Sequence, residues 1–132
     1  KPITKIFADQ GEEHFRELEH QLCVELGQRS DTVISTGGGL PTRQANMDCL
    51  KQHALVLCLW CSAERIWERV RHQSHRPLLQ TPDPQAKIRE LLATRAPFYR
   101  QADILLNTEN RSQRQVVQLV VQHFKQARAK AK

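Results

Sequence analysis

Residues 54–61 read Ala-Leu-Val-Leu-Cys-Leu-Trp-Cys, the longest apolar run in the chain. A continuous apolar strand is typical of a parallel sheet that helices cover on both faces. The run is also far shorter than the ~20 residues that a membrane-spanning helix needs. We therefore predict a buried strand over residues 54–60. Shorter strands are predicted over residues 32–36 and 103–107.

Helical patterns separate these strands along the chain. A break at Gly11 divides a short helical turn from a longer helix with apolar residues at three- and four-residue steps. Asp83 and Pro84 are typical of a helix start, whereas Pro97 is expected to interrupt that helix. The predicted helices cover residues 3–8, 12–28, 43–52, 63–72 behind an N-cap at Ser62, 84–95, and the stretch after Ser112. Strands that alternate with helices predict an α/β protein with parallel strands.

The charge balance indicates the class of partner. The net charge of +6 and the isoelectric point near 9.5 favour anionic ligands such as nucleotides and carboxylates. Aromatic residues make up only 5% of the chain and no nucleic-acid-binding motif is present, so a basic nucleic-acid binder is disfavoured. Part of the charge lies in residues 125–132, which we interpret as a solvated helix end. No signal peptide opens the sequence.

The cysteines indicate packing rather than a disulfide or metal framework. Cys23, Cys49, Cys58 and Cys61 have no disulfide-like spacing, which indicates a reducing compartment. Cys58-x-x-Cys61 formally matches a redox or zinc half-site. However, Cys58 lies inside an apolar strand and no second pair follows at zinc spacing. We therefore expect no metal site in this chain.

A glycine triplet and two arginines are the candidate ligand-binding residues. Gly37-Gly38-Gly39 directly follows a predicted strand, where ligands of open α/β sheets bind, and backbone amides without side chains can approach a ligand closely. The alternative is a plain tight turn. Arg16 and Arg95 each offer a planar fork that binds a carboxylate, and Glu19 could hold Arg16 from the next helical turn. The alternative for each arginine is an ordinary surface residue.

Four motifs occur in a characteristic order. They are Phe15-Arg16 with Glu19, Ser35-Thr36-Gly37-Gly38-Gly39, Arg76-Pro77-Leu78-Leu79, and Arg95 with Pro97 and Tyr99. Over residues 3–121 this order and spacing resembles the shikimate kinases, a family of small P-loop kinases. A gluconate kinase is the alternative among related kinases, but the combination of motifs favours shikimate.

The resemblance implies both a fold and a reaction. The fold is the three-layer, parallel-sheet P-loop kinase fold of the nucleoside-monophosphate-kinase type. The reaction is the ATP-dependent phosphorylation of the 3-hydroxyl of shikimate, with Mg²⁺. It also implies a protein of the cytoplasm, or alternatively of the plastid stroma. It would be a monomer at full length, with shikimate and ATP rather than nucleic acid or a membrane as partners.

The resemblance also implies roles for individual residues at the shikimate pocket. Arg16 and Arg95 match positions that hold the carboxylate, with Glu19 beside Arg16. The backbone of Gly37, Gly38 and Gly39 matches the loop that contacts the ring hydroxyls. Phe7 and Phe15 match aromatic positions lining the pocket, and simple core packing is the alternative for both.

Two further arginines match positions on the nucleotide side. Arg76 falls in a Pro-rich lid over about residues 73–84, where it would close over the ATP phosphates and act in catalysis. Arg111 follows the last strand, where relatives place an arginine near the adenine. His72 and His75 shortly precede the Arg76-Pro77-Leu78-Leu79 motif. We interpret them as solvated residues because neither has a fixed partner in the sequence pattern.

The sequence departs from the family in one respect. Residues 1–132 contain no Gly-x-x-x-x-Gly-Lys-Ser/Thr loop, and Met47 is the only methionine. In the family the P-loop, its strand and helix, and a second strand with an Asp-x-Asp pair lie upstream of the position of Lys1. We therefore expect a shikimate-kinase-like domain over residues 1–124 that lacks this first part, followed by a basic tail at 125–132. The alternative is a non-catalytic binding or regulatory module.

The departure predicts a property of the 132-residue polypeptide itself. In the family the P-loop strand lies between the strands predicted here over residues 32–36 and 54–60. Without it, two apolar strands have unpaired edges, which recruit other chains. We expect the isolated polypeptide to be inactive, and to be poorly stable, aggregated or completed by a further component.

Overall fold

The computed structural model describes residues 2–73 and 81–131. The chain divides into two compact units, Lys1–Ala54 and Leu55–Lys132. The single domain predicted over residues 1–124 stays a prediction.

The first unit begins with a long helix that bends at one glycine. Helix α1 spans Ile3–Leu26, and Gly11 within it has φ 85° and ψ 167°. A residue with a Cβ adopts such a positive φ only with strain, so glycine divides the helix in two. The predicted break at Gly11 is confirmed, and the second part ends two residues before the predicted limit of 28.

Residues 32–36 correct the first of the strand predictions. The β-branched residues there lie in irregular backbone rather than in a strand, and Val33 is 98% exposed. Side-chain preference alone does not make a strand, because the backbone also needs a neighbour that supplies a ladder of hydrogen bonds. Within the described part of the chain no strand pairs with this segment.

The remainder of the first unit packs behind the glycine loop. A 3₁₀ turn over Leu40–Thr42 leads into helix α2, Gln44–His53. The buried apolar residues of this unit are Cys23, Leu40, Met47 and Leu50. They place the end of the glycine loop, α1 and α2 around one small core.

The second unit contains a two-stranded parallel sheet. Strand β1 is Leu57–Trp60 and strand β2 is Ile104–Asn107, with Leu57 opposite Ile104. The parallel arrangement is confirmed, although β1 begins three residues later than predicted. Val56 still contributes to the pairing, because its carbonyl accepts from Asp103 N at 2.8 Å.

The predicted burial of this strand is wrong for its second half. Leu59 and Trp60 are 53% and 45% exposed. A parallel sheet is normally covered on both faces, but the two strands of this unit are only partly covered by the helices that belong to it.

Three helices complete the second unit, and two of their predicted caps are present. Helix α3 spans Ala63–Val70, where Ser62 Oγ accepts from Arg65 N at 3.2 Å. Helix α4 spans Pro84–Tyr99, and Asp83 caps it through Ala86 N. Helix α5 spans Gln113–Ala131 and includes most of the predicted basic tail.

Pro97 does not interrupt α4 as predicted. The helix continues for two residues beyond it, and Arg100 N still donates to Ala96 O at 2.9 Å. A proline removes one backbone donor and strains the preceding turn. Proline at this position removes only the bond that residue 97 would donate to the carbonyl of Ala93, while the later bond from Arg100 is kept, so the helix continues to Tyr99.

Across the described ranges, no helix is both long and apolar enough to cross a membrane.

Candidate functional site

The glycine triplet forms an open turn at the entrance to the first unit's core. Gly37 has φ 69°, and a Cβ added there would meet no atom within 4 Å. Gly39 has φ −86° and begins the 3₁₀ turn. The space beside Gly37 is therefore open, while Gly39 is enclosed by its neighbours. The predicted ligand contact of the loop backbone stays a prediction.

Arg16 lies directly against Gly39. A Cβ on Gly39 would be only 3.0 Å from Arg16 Nη1 and 3.3 Å from Nη2. The absence of a side chain at this position therefore gives the guanidinium its place beside the loop backbone. The structure brings together two features that are 23 positions apart in the sequence.

Two acidic groups and one ring hold the Arg16 side chain. Arg16 Nη1 donates to Glu19 Oε1 at 2.6 Å, and Nη2 lies 3.6 Å from Glu12 Oε1. The guanidinium carbon is 5.4 Å from the centre of the Phe15 ring. The predicted contact with Glu19 is therefore present. With 28% of the Arg16 side chain exposed, a carboxylate ligand could still reach it.

Phe7 and Phe15 pack against each other beside this arginine. Their ring centres are 4.9 Å apart with planes tilted by 45°, a favourable geometry for an aromatic pair. Both rings are half-buried. The contact joins the two parts of α1 across Gly11, and the predicted pocket role of both rings stays a prediction.

Asn46 and His20 are residues that the sequence analysis missed. Asn46 is 1% exposed, yet its amide is polar. Its Nδ2 donates to Leu40 O at 2.9 Å, and its Oδ1 lies 2.7 Å from His20 Nδ1. The available signal was an asparagine next to Met47 on the apolar face of a short helix, where a polar residue needs a specific partner.

Arg43 also connects the two helices of the first unit. Its Nη2 lies 3.4 Å from Glu17 Oε2 on α1. Its Nη1 is the one buried side-chain nitrogen or oxygen without a hydrogen-bond partner in residues 2–73 and 81–131. The ion pair holds the start of α2 close to the helix that carries Arg16.

Arg95, the second predicted carboxylate clamp, lies on α4 in the second unit. Its side chain is half-buried. Within residues 2–73 and 81–131, no acidic side chain forms an ion pair with Arg95. A cation of this kind is suited to an anionic ligand.

Arg111 lies beyond the end of β2, on a shallow groove. Its Nη1 donates to Asn107 O at 2.9 Å, so the side chain folds back onto the strand end. The groove is lined by Arg111, Gln115, Gln118, Leu119 and Gln122. The predicted contact of Arg111 with the adenine stays a prediction.

Glu109 joins the carboxyl ends of the two strands. Its Oε1 accepts from Ser62 N at 2.6 Å. The hydrogen bonds from Ser62, followed by the nearby Arg65 and Arg69, lower the pKa of the Glu109 carboxyl. The carboxylate therefore fastens the residues after β2 to the N-cap of α3.

Several predicted features fall outside the described residues. Arg76, His75 and most of the proposed lid lie in residues 74–80. His72 is described, and its Nε2 accepts from Arg71 Nε at 3.3 Å at the surface. All four cysteines are free. No group of three or more His, Cys, Asp or Glu side chains within the described part is placed to hold a metal ion.

A comparison with known protein families decides the assignment. The family model described as "Shikimate kinase" matches residues 1–125. The chain belongs to the shikimate kinase family. The resemblance inferred from the four motifs is thereby confirmed.

Curated relatives of this shikimate kinase family chain have the same description. The shikimate kinase of a Synechococcus strain is 48% identical over 103 residues, covering 77% of this chain and 54% of the relative. That of Thermodesulfovibrio yellowstonii is 35% identical, covering 92% of this chain and 70% of the relative. The chain thus spans between about half and seven-tenths of the length of these shikimate kinases.

Solved shikimate kinases confirm the predicted fold class. A shikimate kinase from Acinetobacter baumannii, solved in complex with shikimate, matches with a TM-score of 0.83 and 35% identity, covering 95% of this chain and 70% of the other. The enzyme from Bacteroides thetaiotaomicron gives a TM-score of 0.79 at 31% identity, covering 96% and 74%. The helices and parallel strands are those of the P-loop kinase α/β fold.

Proposed function

We propose that the protein carrying this chain is an ATP-dependent shikimate kinase that phosphorylates the 3-hydroxyl of shikimate. Family membership over residues 1–125 supports this activity. The ligand in the Acinetobacter baumannii structure supports shikimate as the substrate. The alternative of a non-catalytic module has no support in these comparisons, since the relatives named above are described as kinases.

One observation carries the substrate assignment. The Arg16 guanidinium lies against the backbone of Gly39 while Glu19 holds it in one position. Shikimate combines a carboxylate with ring hydroxyls. A fixed planar cation suits the carboxylate, and the neighbouring loop backbone at Gly37 and Gly38 suits the hydroxyls. Arg16 and the loop therefore offer complementary partners for the two ends of one small acid.

The remaining predicted residues complete this proposal. Arg95 would be the second partner of the carboxylate, and Phe7 and Phe15 would line the pocket. On the nucleotide side, Arg76 would neutralise charge on the transferring phosphoryl group, and Arg111 would lie near the adenine.

ATP is the proposed phosphoryl donor, with Mg²⁺ as its metal. Kinases of this kind bind Mg²⁺ mainly through the nucleotide phosphates and one or two carboxylates. Within residues 2–73 and 81–131 no group of three or more metal-ligating side chains is present, and we assign no residue of this chain to the metal and no step through it. We further propose a monomer that acts in the cytoplasm, or alternatively in the plastid stroma, and binds neither nucleic acid nor membranes.

The activity is tested on the natural full-length protein. With ATP and Mg²⁺, shikimate should be converted to shikimate 3-phosphate, detected by mass spectrometry, whereas gluconate should remain unchanged. Binding of shikimate without product would contradict the kinase assignment and favour the non-catalytic module. Retention of DNA at physiological salt would contradict the exclusion of nucleic acid.

The role of Arg16 is tested in the same assay. The change Arg16→Lys keeps the charge but loses the planar fork, so the KM for shikimate should rise by about tenfold or more. Arg29→Lys is the matched control because Arg29 is exposed just beyond α1. Equal KM values for the two variants would remove Arg16 from the substrate site.

A further inference from the structure

Both the nitrogen and the oxygen of the Asn46 side-chain amide form hydrogen bonds. Its Nδ2 donates to Leu40 O at 2.9 Å and its Oδ1 lies 2.7 Å from His20 Nδ1. A peptide oxygen can only accept, so the amide must present its nitrogen to Leu40. Its oxygen then faces His20, and Nδ1 of that ring must be the donor.

The bond to Leu40 holds the end of the glycine loop. Leu40 directly follows Gly39, and the Gly39 carbonyl accepts from Thr42 N at 3.1 Å. The Thr42 hydroxyl donates to the same Gly39 oxygen. Hydrogen bonds therefore hold the carbonyls of Gly39 and Leu40 at the end of the glycine loop. Gly37, at the start of the loop, lies beside open space.

The bond to His20 reaches the helix that carries the carboxylate clamp. His20 is the residue after Glu19, whose carboxylate holds Arg16 at 2.6 Å. The chain of contacts therefore runs from the Arg16 helix through His20 and Asn46 to the loop backbone, within one compact unit. Because Asn46 is 1% exposed, water does not compete for these bonds.

We propose that Asn46, acting with His20, is a positioning residue that fixes the glycine loop at the correct distance from Arg16 for shikimate recognition. Asn46 does not touch the substrate. It sets the relative placement of the two groups that would bind the carboxylate and the ring hydroxyls. The inference rests on the proposed function, because the loop and Arg16 matter together only if one ligand contacts both.

The test uses Asn46→Asp in the natural full-length protein. The carboxylate has nearly the same shape and still accepts from His20, but it places an oxygen against Leu40 O and repels the loop. We expect the KM for shikimate to rise by about tenfold, the KM for ATP to stay within about twofold, and isothermal titration to show the same loss of shikimate affinity.

Asp48→Asn is the matched control for this variant. It makes the reverse chemical change on the same helix, where the exposed Asp48 accepts a hydrogen bond from the exposed Gln44, and neither KM should change. A purely structural role for Asn46 would reduce the folded fraction. It would lower kcat in proportion and leave both KM values unchanged, which would overturn the positioning role.

Changes at His20 keep the proposal testable if Asn46→Asp does not fold. His20→Ala removes one side of the network and leaves the Leu40 bond, so the shikimate KM should rise by a smaller factor. His20→Gln supplies a new side-chain donor and should recover part of that loss. An unchanged shikimate KM in His20→Ala would overturn the inference.

The wild-type protein separates the two proposals. A wild type that phosphorylates shikimate while Asn46→Asp and His20→Ala behave normally overturns the positioning role alone. A wild type that neither binds nor phosphorylates shikimate overturns the proposed function and this inference with it.

Discussion

At Gly39 the backbone passes so close to Arg16 that one added carbon would displace the guanidinium. The neighbouring Gly37 is a glycine for a different physical reason, since its φ of 69° is strained for any residue with a Cβ although the space beside it is open. Glycine is therefore required at position 39 by a close contact and at position 37 by the backbone conformation. Substitution by alanine should separate the two effects.

We predict that Gly39→Ala acts mainly on substrate binding. The Cβ would lie 3.0 Å from Arg16 Nη1, the end of a flexible side chain that can move away at low cost in stability. The shikimate KM should rise severalfold while the melting temperature changes little. A large loss of stability with an unchanged KM would contradict this prediction.

Gly37→Ala should show the opposite balance. Its Cβ has room, but the left-handed backbone costs roughly 1–2 kcal/mol for a residue other than glycine. The free energy of unfolding of the natural full-length protein, measured by urea titration, should fall by about that amount. Gly37→Asn is the control, because asparagine tolerates this backbone conformation better than alanine. It should therefore restore part of the stability.

We predict that the buried thiol of Cys23 makes the stability of the fold depend on pH. Burial, with smaller contributions from Cys49 and Glu19, raises the pKa of this thiol from 9.0 to about 11. Between these values the unfolded thiol has lost its proton and the folded one has not. Stability should therefore fall as the pH rises from 9 to 11. The decline should be shallower in Cys23→Ala, and equal slopes for the two proteins would contradict the prediction.

At the scale of elements, local sequence signals determine where several helices begin. Ser62 and Asp83 cap α3 and α4 as predicted. Ser112 and Gln115 cap α5 reciprocally, since Gln115 N donates to Ser112 Oγ and Ser112 N donates to Gln115 Oε1. These bonds join residues three positions apart, so a short local pattern is sufficient to indicate a cap.

We predict that Ser112→Ala destabilises α5 measurably. Loss of the serine oxygen leaves a helix N–H unsatisfied and should cost about 1 kcal/mol of unfolding free energy. Ser30→Ala is the control, because Ser30 is exposed and its backbone carbonyl, which the substitution keeps, accepts from the Thr32 hydroxyl. Circular dichroism during urea unfolding would measure both. A Ser112→Ala curve that coincides with that of Ser30→Ala would show that the cap contributes nothing.

Strands were predicted less well than helices, for a physical reason. Residues 32–36 carry β-branched side chains yet form no strand, and β1 begins at Leu57 rather than at residue 54. A helix satisfies its own backbone, whereas a strand depends on a partner that is distant in the sequence. The pairing of Leu57 with Ile104 spans 47 residues, so no local pattern could specify it.

At the scale of the whole molecule, apolar side chains remain exposed on several elements. The larger examples include Leu22, Val24, Val33, Leu59, Trp60, Leu105, Val117 and Phe124. Extensive exposed apolar surface and unpaired strand edges favour association with other chains. The charge of +6 opposes association only weakly at physiological salt, where the screening length is about 8 Å.

We predict that the 132-residue polypeptide, produced by itself, associates or melts without cooperativity. Sedimentation velocity should show species larger than 15.3 kDa, and the thermal transition by circular dichroism should be broad. The natural full-length protein is the control and should sediment as a monomer. A monomeric 132-residue polypeptide with one sharp transition would contradict the prediction.

Residue types and their spacing are sufficient to indicate the family, the α/β class, the break at Gly11 and the helix caps. Each depends on residue types at short fixed spacings, and so did the contact of Glu19 with Arg16 one turn away. In contrast, the contact of Arg16 with Gly39 and the bonds from Asn46 to Leu40 and His20 are seen only in the folded chain. These contacts span 23, 6 and 26 positions. The two longer contacts form because α1 packs against the glycine loop and against α2. No periodic pattern in the chain encodes that packing.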